Sequence, residues 1–401
     1  MAALLLLPTE QHAFIRDKAT WVGYLLVGTY CLVLASMGPV VPYLRDEQGL
    51  NYTVSSFHFS AWALGGITAG TFGNLAIGKI GCARAVWTCC SGVVLATIIL
   101  ISAKLPVFTI LSGYIGGTCG SMMGHSITSI MSKRFGQQRT IGITEANIAG
   151  SLFALSAPLL VGQCVRMGLS WRVALAVPLI LFICIFLSSR KVFNNFNAAT
   201  SGFATGTLPL SYWFYWFVIW FSVASEWSII YWTSEFLEKA KGLAREDAIQ
   251  AISIFLVTML IGRILGLKLA RTFRVAPLLL VVSIVALSGF LLYWLAPTHV
   301  LSLIGLAITG LGTANIYPLS YSQALGSAED KAGLAAARMS LSTGTAVLIT
   351  PLLMGAIGDR CGIYNAFAVV ATLMTLATIL LAIASRRKAK KAGHDQSCSS
   401  H

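Results

Sequence analysis

The chain has 401 residues, of which 56% are hydrophobic and 10% charged, and this composition excludes a water-soluble globular fold. Its 28 lysines and arginines exceed its 14 aspartates and glutamates, giving a net charge of +14. In a soluble protein such a charge suggests nucleic-acid binding, so the positions of the basic residues matter. A helix that crosses a bilayer needs about 20 apolar residues. Twelve such helices fit this length and leave no room for a large soluble domain.

Apolar windows bounded by glycine, proline and charged residues recur along the chain and predict transmembrane spans. The windows are 21–44, 54–78, 84–103, 106–130, 141–166, 171–189, 211–237, 248–270, 276–296, 299–325, 333–357 and 363–385. Residues 190–210 are the longest polar stretch between windows and predict a cytoplasmic linker. Residues 386–401 predict a basic and polar cytoplasmic tail.

The two halves of the chain match each other at a constant offset of 193 residues. Pro351 falls on Pro158, and Gly266 falls on Gly73. Matched residues lie at the same place in spans that are six apart, so the halves share one orientation, as in a class of secondary transporters. We therefore expect an all-α integral membrane fold built from two parallel six-helix halves, residues 1–189 and 211–385.

Basic residues are concentrated in alternate loops. Eighteen of the 28 lie in the N-terminal segment, the even-numbered loops and the tail, whereas eight lie in the odd-numbered loops. By the positive-inside rule, both termini face the cytoplasm, and we expect a plasma membrane or cell inner membrane location. The positive charge therefore records membrane orientation, and no nucleic-acid partner is expected.

Motifs for chemistry or cofactor binding are not found in the sequence. The nine cysteines form no CxxC pair, and we interpret them as buried apolar residues, so neither a metal site nor a disulfide framework is expected. The start, MAALLLLPTEQ, lacks a basic region, so we expect no cleaved signal peptide. Walker, HExxH and GxSxG patterns are also absent from the sequence. Their absence argues against an ATP-driven pump and against an enzyme, and we expect no cofactor.

The loops after spans 2 and 8 resemble the loop motif of the major facilitator superfamily. The matching residues are Gly73, Lys79, Gly81 and Arg84 in the first loop, and Gly266 and Arg271 in the second. Gly78 replaces the usual aspartate of the first copy, whereas a fuller copy with Asp359 lies at the outer end of span 11. The resemblance covers about residues 14–385 and implies this family's fold and transport by alternating access.

Ionisable side chains inside a span are costly to bury and are therefore functional candidates. Glu226 lies near the middle of span 7, without a basic residue within one helical turn. The resemblance implies that spans 1, 4, 7 and 10 line a cavity, where this carboxylate would bind and release protons. The alternative is a protonated carboxyl bonded between helices. His125 in span 4 either binds substrate or protons, or is a neutral ring bonded to a carbonyl.

Several other side chains in the cavity-lining spans offer hydrogen bonds or aromatic faces to a small organic ligand. They are Tyr30, Trp227, Asn315 and Tyr317, and Pro318 is expected to kink span 10. The alternative is that these residues face lipid or the protein core.

Glu145 and Arg338 occupy equivalent places in the repeat, and Arg263 lies in span 8. We hypothesise that Glu145 pairs with Arg263 or Arg338 when the cytoplasmic side is closed, and separates when it opens. The alternative is a pair with Arg134 or Arg139. Four acidic residues near the outer end of span 7 are interpreted as a solvated rim: Glu235, Glu238, Glu246 and Asp247.

Together these features predict a monomeric transporter in the lipid bilayer that moves a small organic solute by alternating access, with protons as the coupling ion. An exporter of amphipathic drugs is the alternative within the same class. A transport-inactive membrane sensor and a polytopic membrane enzyme are the alternatives from other classes.

Overall fold

The computed structural model describes residues 16–135, 139–193, 206–328 and 331–398. Most of the predicted linker, the side chains of Arg139 and Arg271, and the side chains of the tail lie outside this description. The helices are α1 (Lys18–Gln48), α2 (Tyr52–Ile80), α3 (Cys82–Ser102), α4 (Pro106–Phe135), α5 (Arg139–Arg166), α6 (Trp171–Ser189), α7 (Leu210–Lys241), α8 (Arg245–Thr272), α9 (Val275–Leu295), α10 (His299–Thr313), α11 (Ile316–Ser327), α12 (Ala332–Ala366) and α13 (Ala368–Cys398).

The predicted span 10 is divided into two helices. α10 ends at Thr313 and α11 begins at Ile316, so the chain turns at Ala314 and Asn315. Pro318 has no N–H to donate to the carbonyl four residues earlier, which explains why the helix does not continue through this point. Span 11 corresponds to α12 up to Gly362, where the chain leaves the helical conformation with a φ of 82°. Span 12 corresponds to residues 363–366 of α12 followed by α13.

Nine helical stretches of the described chain are long and apolar enough to cross a membrane. α10 and α11 count as one of them, whereas α2, α4 and α7 are not in the set. α4 is rich in Gly, Ser and Thr, and α7 is rich in Trp and Tyr, which lowers their mean hydropathy. The all-α membrane fold is confirmed, and the count of twelve spans stays a prediction for these three helices.

Equivalent residues of the repeat make equivalent structures. Gly49 ends α1 and Gly242 ends α7, and both adopt the left-handed conformation, with φ of 61° and 71°. This conformation costs glycine little because it has no Cβ. A Cβ on Gly117 or Gly310 would collide with a backbone carbonyl, so both glycines allow close helix packing. Those carbonyls are of Trp62 and Phe255, which are also 193 residues apart.

The helices α1–α6 and α7–α13 meet along three lines of contact. α2 packs against α12, α5 packs against α8, and α1 packs against α7. We call the end of the bundle with the α1–α2 and α7–α8 turns the hairpin face, and the end where α1 and α7 begin the terminal face.

Candidate functional site

Glu226 lies near the middle of α7 and is half-buried. Among the described residues, its carboxylate accepts no hydrogen bond and forms no ion pair. Arg263 of α8 is close enough to attract the carboxylate electrostatically, and the hydroxyl of Tyr317 on α11 lies within range of the same charge. Three helices therefore bring a carboxyl group, a guanidinium cation and a phenol together, although their positions in the sequence do not show it.

Aromatic rings connect the region of Glu226 on α7 with the other half of the molecule. The ring centroid of Trp227 lies 5.2 Å from that of Tyr231, and Tyr231 stacks on Phe59 of α2 with centroids 4.0 Å apart. Stacked and tilted aromatic pairs at these separations are stabilising beyond the area they bury. α7 thus contributes both the charge and a column of aromatic rings that reaches α2.

Tyr30 of α1 is held in one orientation by its neighbours. Its hydroxyl accepts a hydrogen bond from Nε1 of Trp62 at 3.1 Å, and the two rings stack with centroids 6.0 Å apart. The ring lies against Gly120 of α4, where a Cβ would be only 1.7 Å from a ring carbon. The side chain is half-buried, so these contacts leave part of it exposed.

Asn315 is buried and connects two helices. Its side chain is 6% exposed, and Nδ2 donates a 2.7 Å hydrogen bond to the carbonyl of Gly262 in α8. It fits there because Gly266 has no side chain, since a Cβ would lie 2.0 Å from Oδ1 of Asn315. The amide therefore ties the α10–α11 break to α8, in line with the expected alternative of a core role.

The two histidines of α2 and α4 differ in exposure. His125 is exposed on α4, and no hydrogen bond joins it to another described residue, so the expected alternative of a carbonyl-bonded ring is not seen. His58 of α2 is buried, with Nε2 2.9 Å from the hydroxyl of Thr109 and Nδ1 3.0 Å from the carbonyl of Ser55. Sequence analysis did not single out His58 because its partners lie partly on another helix.

Glu145 is bound within its own half in this structure. It accepts hydrogen bonds from Nη2 of Arg16 at 2.6 Å and from the hydroxyl of Tyr24 at 3.0 Å. The hypothesised pairs with Arg263 and Arg338 are not formed here. The pairing with Arg16 was missed because this arginine precedes the first predicted span by five residues and received no role.

Two further arginines near the terminal face, Arg338 and Arg134, also have partners within their own half. Nη2 of Arg338 donates to the carbonyl of Gly206 at 2.9 Å, and its guanidinium lies over the ring of Trp213. Arg134 forms an ion pair with Asp17, so the alternative pairing of Arg134 with Glu145 is not seen either. These charged side chains at the terminal face therefore bind groups of their own half.

At the hairpin face the two halves are joined by charged groups. Among the described residues, three ion pairs connect α1–α6 with α7–α13, and all three lie at this face. They are Arg45 with Glu235, Asp46 with Arg245, and Arg166 with Asp247. Of these three ion pairs, the one between Arg45 of α1 and Glu235 of α7 is buried.

The prediction that Glu235 belongs to a solvated rim is wrong. Its side chain is 1% exposed, and Oε1 lies 2.7 Å from Nη1 of Arg45 and accepts a 3.0 Å hydrogen bond from the hydroxyl of Tyr52. α1 and α2 cover the carboxylate, which sequence position near a helix end does not reveal. Glu238, by contrast, pairs with Arg245, and Asp247 is exposed as predicted.

Asp359 of α12 caps the N-terminus of α2 across the interface. Its carboxylate accepts hydrogen bonds from the backbone N–H groups of Tyr52 at 2.7 Å and Thr53 at 2.9 Å, and from the Thr53 hydroxyl. Asn51 accepts from the N–H of Val54, so three otherwise unpaired donors of this helix end are satisfied. We call Arg45, Tyr52, Glu235 and Asp359 the hairpin gate.

The loop motif residues lie away from this gate, at the terminal face. Gly81 has a positive φ of 85° between α2 and α3, and the side chains of Lys79 and Arg84 are exposed. Gly73 faces Met122 of α4 as Gly266 faces Asn315, and these pairs are again related by the 193-residue offset. The described residues contain no group of three or more side chains suited to hold a metal ion.

Comparisons with known proteins agree with this architecture. The family model described as Major Facilitator Superfamily matches residues 23–329 and 215–397. An uncharacterised MFS-type transporter of Yersinia pestis is 20% identical over 368 residues, which cover 91% of this chain and 94% of that protein.

Three similar solved structures share the fold at low sequence identity. A bacterial homologue of the human lysosomal transporter Spinster, inward-facing and unoccupied, has 12% identity and a TM-score of 0.72, covering 92% of this chain and 97% of its own. A mutant of the nucleoside transporter NupG has 12% identity and a TM-score of 0.74, covering 92% and 99%. The peptide transporter POT in complex with sulfate has 14% identity and a TM-score of 0.75, covering 93% and 94%.

The family match spans most of the chain and confirms the resemblance seen in its loop motifs. It also assigns the molecule to membrane transport proteins rather than to enzymes. The chain belongs to the Major Facilitator Superfamily and is a multi-pass membrane protein of the transporter class.

Proposed function

We propose that the protein moves a small organic solute by alternating access and couples this movement to protons through Glu226. The observation that carries the proposal is the half-buried carboxylate in the middle of α7, which has no hydrogen bond or ion pair among the described residues. Burying a charged group inside a span is costly in free energy, so an ionisable residue at such a position is a candidate for function. Arg263 attracts the carboxylate without forming a salt bridge, so proton binding does not require a bond to break.

We further propose that the solute binds between Glu226 and the aromatic rings of the two halves. Trp227 and Tyr30 present apolar faces from α7 and α1, and Tyr317 adds a hydroxyl group. Similar structures include transporters of nucleosides and of peptides, which supports a solute that combines polar groups with an apolar part. The same aromatic surface supports export of amphipathic compounds as the second candidate.

The proposed orientation places both termini in the cytoplasm, with the hairpin face outside, and the protein acts as a monomer in the plasma or cell inner membrane. Support comes from the excess of basic residues in the segments at the terminal face. Fusing a fluorescent protein or alkaline phosphatase to the C-terminus tests the orientation, because the former is fluorescent inside the cell and the latter is active outside. Phosphatase activity would contradict it.

When the terminal face closes, Glu145 is proposed to leave Arg16 and Tyr24 and to pair with Arg263 or Arg338. Opening and closing then exchange one set of partners for another, and the difference in contact free energy biases the two states. The presence of all three inter-half ion pairs at the hairpin face supports this alternation, since the described residues form no such pair at the terminal face.

The test is transport in proteoliposomes with an imposed pH gradient, using nucleosides, short peptides and amphipathic cations as substrates. Glu226→Gln is expected to lose gradient-driven accumulation while it retains exchange of solute across the membrane. Glu246→Gln, which alters a carboxylate at the end of α8, is the matched control and is expected to behave as wild type. Unchanged accumulation by Glu226→Gln would exclude Glu226 as the coupling group.

A further inference from the structure

A small cavity lies inside the half built from α7–α13, where α7, α9 and α13 meet the break between α10 and α11. Four hydroxyl groups and four apolar side chains line it. The hydroxyl groups belong to Ser222, Ser225, Ser283 and Thr313, and each of these residues is at most 4% exposed. The cavity volume of about 10 Å³ is close to the roughly 10–15 Å³ that one water molecule needs.

Two of these hydroxyl groups have already committed their hydrogen atoms. Ser225 donates to the carbonyl of Phe221 at 2.8 Å. Thr378 donates to the carbonyl of Met374 at 2.8 Å, so the serine is the donor in the 2.7 Å hydrogen bond between Ser283 and Thr378. A hydroxyl group has one hydrogen and two lone pairs. Ser225 and Ser283 can therefore only accept a hydrogen bond from an occupant of the cavity.

The other two hydroxyl groups are buried without a partner among the described residues. They are Oγ of Ser222 and Oγ1 of Thr313, and both keep a hydrogen atom to donate. A buried hydroxyl group without a partner is uncommon, because it has lost its hydrogen bonds to water. The cavity thus offers two donors and two acceptors. One water molecule, with two hydrogens and two lone pairs, is the complement of this set.

A metal cation fits the same cavity less well. None of the described residues that line it is charged. Burying a charge without a compensating group costs far more free energy than burying a neutral polar molecule. The lining therefore favours a neutral occupant that both donates and accepts hydrogen bonds.

The repeat shows that the fold does not require a polar lining at this place. Subtracting 193 residues places Ser225, Ser283 and Thr313 on Leu32, Cys90 and Gly120. Ser222 falls on Thr29, whose hydroxyl donates to the carbonyl of Leu25 at 2.7 Å. The four cavity hydroxyl groups are therefore particular to the second half of the chain.

We infer that the cavity binds one water molecule, which links α7 and α9 to the end of α10. Ser222 and Thr313 donate to the water oxygen, and the water donates to Ser225 and Ser283. Thr313 is the last residue of α10, and Asn315 binds α8 through its amide. The break between α10 and α11 is then held from two sides, by α8 and by the water. This site goes beyond the proposed function and does not depend on it.

The test is X-ray radiolytic labelling of the full-length protein in lipid nanodiscs, because hydroxyl radicals formed from a bound water oxidise the side chains that touch it. Met374 lines the cavity and is 5% exposed, and its thioether is oxidised to a sulfoxide that mass spectrometry quantifies. Met123 and Met354 are the internal references, because both are 0% exposed and neither lines the cavity. In wild type, Met374 is expected to be oxidised faster than both references.

The double variant Ser222→Ala, Thr313→Val removes the two hydroxyl groups that donate to the water. Apolar cavities stay dry, so oxidation of Met374 is expected to fall to the rate of the references. Ser228→Ala is the matched control, because this buried serine of α7 donates to the carbonyl of Ala224 and does not line the cavity. It is expected to be labelled at Met374 as wild type is.

Equal oxidation of Met374 and the two references in wild type would overturn the inference, whatever the variants do. Unchanged oxidation of Met374 in the double variant would also overturn it, because the radicals would then come from bulk solvent. An equal fall in Ser228→Ala would have the same consequence. Protection of Met374 when sodium chloride replaces choline chloride would show a cation in place of the water, and would likewise overturn the inference.

Discussion

Replacing Asp359 by alanine tests how strongly the cap of α2 holds the hairpin gate closed. The carboxylate accepts hydrogen bonds from two backbone N–H groups and one hydroxyl, all on the other half of the molecule. Hydrogen bonds to a charged acceptor contribute about 1.5–3 kcal/mol each when shielded from water. Asp359 is exposed, so water replaces part of what is lost. We therefore expect the closed state to lose about 2 kcal/mol, within the range of helix-cap substitutions.

A loss of about 2 kcal/mol lowers the ratio of closed to open gate by about 30-fold. Hydrogen exchange of residues 229–238 in α7, which contact α1 and α2 at the gate, measures it. The N–H groups of Tyr52 and Thr53 are not used, because they lose their acceptor in the variant whether or not the gate opens. Asp247→Ala is the control, because removal of the exposed pair with Arg166 is expected to cost less than about 1 kcal/mol. Equal protection in Asp359→Ala and wild type would refute the role of this cap, as would an equal loss in the control.

Two further predictions concern the interior of the N-terminal half and the terminal face. Gly120→Ala places a methyl group on the ring of Tyr30 and is expected to lower the free energy of unfolding by about 1–3 kcal/mol. Gly124→Ala is the control, because its methyl group enters open space. Thermal unfolding in detergent compares the two variants, and equal melting temperatures would contradict the packing. The single variants Glu145→Arg and Arg338→Glu are expected to lose transport and the double variant to regain it; Arg338 is chosen because Arg263 also acts on Glu226. A double variant that stays inactive would count against this pair.

The architecture can be predicted from patterns in the sequence. Windows of apolar residues mark the helices, because each span must satisfy its own backbone in lipid. The constant offset identifies the repeat, and Gly49 and Gly242 indeed end α1 and α7 in the same conformation. The division of span 10 was only partly predictable. Pro318 indicates a kink, but the hydrogen bond from Asn315 to α8 fixes where the helix breaks.

The candidate site is less accessible from sequence, because composition does not give the rotation of a helix about its axis. Glu226 stands out as an acid within an apolar window, but its neighbour Arg263 comes from α8 and is visible only after folding. Glu235 was assigned to a rim because it lies near the end of a window. Its burial depends on Arg45 and Tyr52, which belong to the other half of the chain.

The position of Arg263 connects the carboxylate in the middle of α7 with events at the terminal face. In this structure its charge acts on Glu226, while Arg16 and Tyr24 hold Glu145. Arg263 is one of the two partners proposed for Glu145 when the terminal face closes, and its helix, α8, packs against α5. Movement of Arg263 to Glu145 would leave Glu226 without this attraction, so the anion would be less stabilised and would take up a proton. Closure and protonation of the site would then be linked through a single arginine.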